Sequence, residues 1–246
     1  MEDHQQEMYF GHPWNRYWHE TRLSQILKII GNLKFKTFLD VGCAEGYYTK
    51  LVATSQNSAE SDLIGLDVSK NYIAKAKKGV PNASWVIGDV NKLPFRRGSV
   101  DLVLCSEVLE HILNPRPAFL QLVQTSRKYV LLSVAGEGLF HHVMSKLRLW
   151  RPRSPFAGGR YGHVHEIEIS KVLPLWTRNQ ECTHLQSIVT CYFPASFLKS
   201  YSVPVFLISL VKFVDRLINA IPVAREFGAV QIALFEKSRT PTVVDS

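Results

Sequence analysis

The sequence lacks any run of about 18 uncharged apolar residues, the length that a membrane-spanning helix requires. Cysteine is also scarce: the 246 residues include four cysteines, and no two of them have the C-x-x-C spacing typical of metal sites. Acidic residues number 21 against 29 basic ones, so the formal net charge is +8. We therefore expect no spanning helix, no metal bound by cysteines, and thiols that remain reduced.

The first residues, MEDHQQEMYFGHPW, are polar and lack the apolar centre of a signal peptide. We therefore expect a cytoplasmic protein. The positive charge favours an anionic partner, such as nucleic acid, anionic lipid headgroups or a phosphorylated substrate, although simple solubility explains it equally well. Several basic residues cluster in one segment of the sequence, namely Lys146, Arg148, Arg151, Arg153 and Arg160.

Apolar runs of strand length alternate with helix-length segments through most of the chain. The predicted strands are 37–43, 62–68, 83–88, 100–106, 128–134, 185–192 and 230–236, and the predicted helices are 15–31, 46–54, 71–78, 117–126, 170–178 and 203–221. This alternation predicts a single doubly wound, Rossmann-like α/β domain with a mostly parallel seven-stranded sheet and helices on both faces. We expect residues 1–36 to form an N-terminal helical cap, 37–136 the ligand-binding core, and 137–246 a lid or insertion and the end of the sheet.

Residues 38–46, FLDVGCAEG, join the end of the first predicted strand to a turn of small residues and a helix start. Gly42, Ala44 and Gly46 let the backbone pass close to a ligand and adopt turn conformations that larger residues resist. Asp40 places a carboxylate at the end of the strand, where it can bind a ligand ammonium directly or through water. Ligands of such sheets bind beyond the carboxyl ends of the strands, so this turn is the predicted centre of a site.

A dinucleotide-binding loop is the main alternative interpretation of this turn. That loop requires G-x-G-x-x-G. Counted from Gly42, the second glycine position is Ala44 and the third is Tyr47. The dinucleotide pattern therefore fails, and an acid followed by G-x-A-x-G is what the sequence contains.

The second and third predicted strands also end in acids, Asp67 in LIGLD and Asp89 in VIGD. The segments LPF, SVDLV and SEVLEH follow in that order, between residues 93 and 111. The first turn resembles motif I of class I S-adenosylmethionine-dependent methyltransferases, whose usual form is D/E-x-G-x-G-x-G, with Ala44 at the middle glycine. The whole series resembles the ubiquinone/menaquinone-biosynthesis-like (type 11) methyltransferases over residues 37–133.

The resemblance implies S-adenosylmethionine as cofactor and S-adenosylhomocysteine as product. It implies that Asp67 accepts hydrogen bonds from the ribose hydroxyls and that Asp89 receives the adenine exocyclic amine. Both acids could instead be ordinary turn residues at strand ends. The full set of predicted cofactor-binding residues is Asp40, Gly42, Ala44, Gly46, Asp67, Val68, Gly88, Asp89, Val90, Ser106 and Glu107.

Two histidines, His111 and His163, are the predicted catalytic residues. His111 follows the fourth strand, where this fold presents the acceptor to the methyl group, but it could equally be a structural histidine. His163 and His165 lie in GHVHE, which resembles a segment that closes over the substrate in many members of the family. Either could act as a general base. Because two histidines make an incomplete metal site, we expect no metal.

These features predict a methyltransferase that acts on a small-molecule, lipid or lipid-linked acceptor. Families that methylate amide or nucleobase nitrogens use an Asn/Asp-Pro-Pro-Tyr loop after the fourth strand, where this chain has SEVL. Nucleic acid is therefore the less favoured acceptor. An RNA methyltransferase that uses the basic surface, and a catalytically silent protein that binds the cofactor, remain as alternatives.

Residues 203–221 are predicted to form an amphipathic helix. Its apolar face comprises Phe206, Leu207, Leu210, Val214, Leu217 and Ile221, and its polar face comprises Lys212, Asp215, Arg216 and Asn219. Together with the basic segment 147–153, this helix could rest on an anionic membrane surface and reach a lipid acceptor. The alternative is that its apolar face packs on the sheet.

Overall fold

A computed structural model describes residues 9, 11–55, 61–136, 146–147, 167, 169, 176–177, 182–192, 202–221 and 228–237. Its strands are β1 (Thr37–Val41), β2 (Asp62–Asp67), β3 (Ser84–Ile87), β4 (Val100–Ser106), β5 (Ser126–Ala135), β6 (Cys182–Thr190) and β7 (Val230–Lys237). The longer helices in the described ranges are α1 (Pro13–Gly31), α2 (Tyr47–Ala53), α3 (Lys70–Gly79), α4 (Pro115–Thr125) and α5 (Ile208–Asn219). Short 3₁₀ turns span Leu109–His111 and Val205–Leu207.

The seven strands form one sheet in the order β3-β2-β1-β4-β5-β7-β6. Strands β1 to β5 run parallel to one another, and β7 runs antiparallel to both of its neighbours, β5 and β6. The strand order reverses between β1 and β4, which creates a switch point at their carboxyl ends. The predicted Rossmann-like, mostly parallel seven-stranded sheet is confirmed.

Alternate residues of β1 enter two different apolar clusters, because successive side chains of a strand point to opposite faces. Leu39 and Val41 pack in one cluster with residues of α4, and Phe38 packs in the other with residues of α1 and α2. The sheet is therefore covered on both faces. Strand β4 is buried along nearly its whole length. Because both faces of the sheet are covered, its sequence is a nearly continuous apolar run.

Several element bounds differ from the predicted ones by a few residues. Helix α1 begins at Pro13, because the His12 side chain accepts a hydrogen bond from the backbone amide of Trp14 and proline suits the first helical position. The sixth strand begins at Cys182 rather than at residue 185. The predicted helix 170–178 and most of the predicted lid lie outside the described residues.

Helix α5 is where structure and expectation differ most. Asp215, which the sequence places on the polar, outward face, is buried, whereas Phe206, Leu210 and Leu217 are exposed. For these three apolar side chains, the alternative in which the predicted apolar face packs on the sheet is therefore wrong. Among the described residues, no helix is both long enough and apolar enough to cross a bilayer.

Candidate active site

A cavity of about 530 Å³ opens at the carboxyl ends of β1, β2 and β4, at the switch point of the sheet. Most of its lining residues come from the turn after β1, the ends of β2 and β3, and the end of β4 with the segment that follows it, and Tyr9 and Tyr72 are added from the N-terminal segment and from α3. The lining residues are Tyr9, Gly42, Ala44, Leu66, Asp67, Val68, Tyr72, Gly88, Asp89, Val90, Asn91, Ser106, Glu107, Val108, His111 and Ile112. This volume is within the range of small-molecule sites.

The turn after β1 approaches the cavity with its backbone. Gly42, Ala44 and Gly46 all have positive φ angles, of 73°, 47° and 80°. A Cβ on Gly42 would overlap the Val108 side chain, so this position has no room for any larger residue. The amides of Gly42 and Cys43 both donate to the Leu66 carbonyl, at 2.7 and 3.0 Å, which ties the turn to the end of β2.

Asp67 is held in a fixed orientation by two backbone amides. Its Oδ2 accepts from the Ala44 amide at 2.9 Å, and its Oδ1 accepts from the Ser69 amide at 2.8 Å. Because each carboxylate oxygen has two lone-pair sites, the side chain can accept further bonds from a ligand. Asp67 therefore links the small-residue turn to the adjacent strand and lines the cavity between them.

Asp40 and Gly46, both expected to contact the ligand, lie outside the residues that line the cavity. Asp40 is almost fully buried and accepts a hydrogen bond from the Thr49 hydroxyl of α2 at 2.9 Å. Burial raises the pKa of this carboxyl to about 7, in opposition to the Thr49 bond. Gly46 instead lets the turn approach the Trp85 ring, which occupies the space of a Cβ at this position.

The residues predicted after β2 and β3 all line the cavity: Val68, Gly88, Asp89 and Val90. Val68 is 74% exposed, which is unusual for a valine and leaves an apolar surface at the cavity wall. The carboxylate of Asp89 accepts from the backbone amide and side-chain amide of Asn91, at 2.8 and 2.9 Å. Two acids therefore border one cavity at adjacent strand ends.

Glu107 lines the cavity and forms an ion pair with Arg22 of α1, a fully buried arginine. The Arg22 guanidinium also donates to the Tyr48 hydroxyl at 3.1 Å and contacts the His19 ring nitrogen Nδ1 at 3.0 Å. Burial lowers the pKa of His19 to about 2, so this imidazole is neutral and can accept from the guanidinium. Arg22 therefore brings a positive charge to the wall beside Glu107.

Ser106 and His111, the remaining predicted residues in the described ranges, both line the cavity. The Ser106 hydroxyl contacts the hydroxyls of Tyr48 and Ser133, both at 3.4 Å. His111 ends the 3₁₀ turn after β4 and is exposed. His163 and His165, the predicted residues of the closing segment, lie outside the described residues. Among the described residues, no group of three histidine, cysteine or acidic side chains could hold a metal ion.

Sequence reasoning missed Arg22 and Tyr9. Arg22 lies four residues from both Trp18 and Ile26, in the middle of the apolar stripe of α1. A charged residue in such a stripe indicates a buried partner, and that signal was present. Tyr9 lines the cavity and stacks on His19 with ring centroids 3.9 Å apart, but its sequence neighbourhood carries no pattern that predicts this.

Residues 39–129 match the methyltransferase domain family of type 11. Two curated relatives share part of this region. Malonyl-[acyl-carrier protein] O-methyltransferase of Anoxybacillus flavithermus is 27% identical over 112 residues, which are 44% of this chain and 42% of that protein. Ubiquinone biosynthesis O-methyltransferase of Nitrosomonas europaea is 30% identical over 105 residues, which are 38% of this chain and 40% of that protein. The chain thus spans less than half of each relative.

The likeness to solved structures covers more of the chain than the family match does. Magnesium protoporphyrin IX methyltransferase of Synechocystis, solved with bound S-adenosylhomocysteine, superposes with a TM-score of 0.58 at 17% identity. The superposition covers 97% of this chain and 89% of that one. At this identity the likeness shows a common fold.

The sheet topology and the site at its switch point are those of the class I S-adenosylmethionine-dependent methyltransferase fold. Within that class, the chain carries a methyltransferase domain of the type 11 family, over residues 39–129. The motif resemblance found in the sequence is thereby confirmed.

Proposed function

We propose that this protein binds S-adenosylmethionine in the cavity at the switch point and transfers its methyl group to a small-molecule acceptor. The observation that carries the proposal is the arrangement of Asp67, which is fixed by the Ala44 and Ser69 amides beside a turn that only small residues can form. The family match and the fold support the same conclusion.

The residues present fit an adenosyl ligand with a charged amino-acid end. Asp67 and Asp89 offer carboxylate acceptors for ribose hydroxyls and an adenine amine, and Val68 and Val90 offer apolar surface. At the other wall, Glu107 offers a carboxylate for the ligand ammonium, and Arg22 fixes its position. The Val108 side chain packs against Gly42 where a Cβ would stand, so this turn is formed by backbone alone beside the cavity.

Bound S-adenosylmethionine would supply an electrophilic methyl group on its sulfonium, which the acceptor would take in exchange for a proton, leaving S-adenosylhomocysteine. This chain supplies position and a partly dry pocket. His111, on the cavity wall, is placed to take the proton of an oxygen acceptor. The names of two relatives specify O-methylation, which supports an oxygen acceptor.

Calorimetry with S-adenosylmethionine and S-adenosylhomocysteine tests the binding step. We expect one saturable site per chain. A coupled assay for S-adenosylhomocysteine release, run over carboxylic acids, phenols, amines and short RNA, then tests transfer. We expect release with an oxygen acceptor. Absence of saturable binding would overturn the proposal, and binding without turnover on any acceptor would favour a cofactor-binding regulator.

A further inference from the structure

Helix α5 and the turn before it expose a continuous apolar stripe. The side chains of Phe206, Leu210, Phe213, Leu217 and Ile221 recur at helical spacing, and each is more than half exposed, with Phe206 at 80%. Isolated exposed apolar residues are ordinary, but five large ones in one stripe indicate an interaction surface. We call this set the α5 stripe.

The orientation of α5 is fixed by buried polar bonds on the side opposite the stripe. Asp215 is 3% exposed and accepts hydrogen bonds from the Tyr17 hydroxyl of α1 and from the Tyr192 amide, the latter at 3.0 Å. Ile208 and Val211 pack beside it against the apolar cluster that contains α1. A rotation that buried the stripe would expose these bonds and bring the apolar residues of the inner side to solvent. The outward direction of the stripe is therefore built into the packing.

The charges beside the stripe are positive. Arg216 is exposed on the flank of α5 nearer the stripe, whereas the Lys212 ammonium lies over the Tyr17 ring, 5.4 Å from its centroid, and the single acid of the helix, Asp215, faces inward. The surface of the helix therefore combines apolar side chains with cations, and the whole chain has a net charge of +8. Such a combination is complementary to anionic lipid headgroups above an acyl interior.

We propose that the α5 stripe docks this protein on an anionic bilayer surface. The apolar side chains enter the boundary between headgroups and acyl chains, and Arg216 contacts the headgroup phosphates. A second copy of the chain fits this face less well, because a helix of 12 residues spans only about 18 Å and offers no exposed acid to pair with the cations. The inference rests on α5 alone and does not depend on methyl transfer.

Vesicle co-sedimentation without any methyl donor tests the proposal. The full chain is mixed with vesicles of phosphatidylglycerol and phosphatidylcholine, and separately with pure phosphatidylcholine. We expect binding to the anionic vesicles that weakens as salt is raised, since surface charge attraction is screened. No binding to anionic vesicles at low salt would overturn the proposal.

Variants then separate the apolar contribution to vesicle binding from the electrostatic one. Leu210→Ser/Phe213→Ser should lower the vesicle partition coefficient at least about tenfold, because two apolar side chains no longer leave water. Arg216→Gln should lower it roughly fivefold and weaken the salt dependence. The matched control is Leu113→Ser/Leu185→Ser, which replaces two exposed leucines outside the stripe and should bind like the parent.

Circular dichroism and thermal melting establish that each variant is folded before binding is compared. Equal binding by a folded Leu210→Ser/Phe213→Ser variant would contradict the assignment of the stripe. Analytical ultracentrifugation distinguishes the competing occupant: a stable dimer that this variant dissociates would assign the stripe to a second copy and overturn the membrane proposal.

Discussion

Arg22, in the first helix, forms a buried ion pair with Glu107, which follows β4 in a left-handed backbone conformation with φ of 58°. A glutamate rarely adopts this conformation, and its backbone amide is fixed by a hydrogen bond to the Ser133 carbonyl at 2.8 Å. The pair joins the N-terminal helix to the cavity wall. Arg22 and Glu107 lie far apart in the sequence, and Glu107 lines the cavity. The cavity wall at Glu107 is therefore complete only when α1 packs on the sheet.

Arg22→Met should destabilise the fold by about 3–5 kcal/mol, because it leaves the Glu107 carboxylate without its buried cation. The double variant Arg22→Met/Glu107→Gln should recover part of this loss, since neither charge then remains. Chemical denaturation of the two single variants and the double variant measures the coupling. Lys75→Met, which breaks the more exposed Lys75–Glu45 pair, is the control and should cost no more than about 1 kcal/mol. Purely additive losses at Arg22 and Glu107 would refute the coupling.

Asp67→Ala should weaken binding of S-adenosylhomocysteine about a hundredfold, because hydrogen bonds to a charged acceptor contribute about 1.5–3 kcal/mol each. Asp67→Asn keeps an oxygen for the Ala44 amide and should lose less. Calorimetry measures both affinities. Asp62→Ala, at the exposed start of the same strand, is the matched control and should bind normally. Unchanged affinity in a folded Asp67→Ala protein would remove Asp67 from the site.

Gly42→Ala should destabilise the protein more than Gly98→Ala does. Both glycines have positive φ, which costs an alanine about 1–2 kcal/mol, but a Cβ at Gly98 meets no neighbouring atom whereas one at Gly42 overlaps Val108. Because Val108 lines the cavity, Gly42→Ala should also weaken ligand binding. Thermal melts and calorimetry check the two effects. Val108→Ala should partly rescue Gly42→Ala, and failure of this rescue would show that the overlap is not the cause.

The stability of the protein should fall as the pH rises through the titration of Asp215. Burial raises the pKa of this carboxyl from 3.8 to about 6, against the bonds from Tyr17 and Tyr192 that favour its charged form. The folded state then binds more protons than the unfolded state, so the stabilisation is full below 3.8 and is lost as the pH passes about 6.

Asp215→Asn should remove this dependence, which is on the order of 2 kcal/mol. Denaturation at about pH 4 and about pH 7 compares the variant with the parent. The exposed Asp62→Asn provides the control. The same pH slope in parent and Asp215→Asn would contradict the assignment.

The sequence predicted the sheet and most of the cavity because both depend on local pattern. Strand ends are marked by glycines and acids, and parallel strands bring Asp67 and Asp89 to one edge. Asp40 shows the limit of a motif. It shares a face of β1 with Phe38, and that face is covered by α2, so its carboxylate meets Thr49 and does not line the cavity.

Helix α5 shows a different limit. Periodicity identifies which residues share a face, but it does not decide which face turns inward. That choice depends on the hydrogen bond that Asp215 accepts from Tyr17, a residue 198 positions away in the chain. The burial of Arg22 likewise depends on Glu107, in another element. A charged residue in an apolar stripe, such as Arg22, signals that a buried partner exists, but the local pattern does not identify that partner.

The ring of Trp85 fills the space that a Cβ would need at both Gly46 and Gly65. Gly46, Gly65 and Trp85 come from three different segments but share one small volume. A larger side chain at either glycine therefore requires a smaller one at position 85. Homologues with alanine at either glycine should carry a smaller side chain in place of the tryptophan. Substituting a smaller side chain for Trp85 alone would open a void beside both glycines, beneath the turn that borders the cavity.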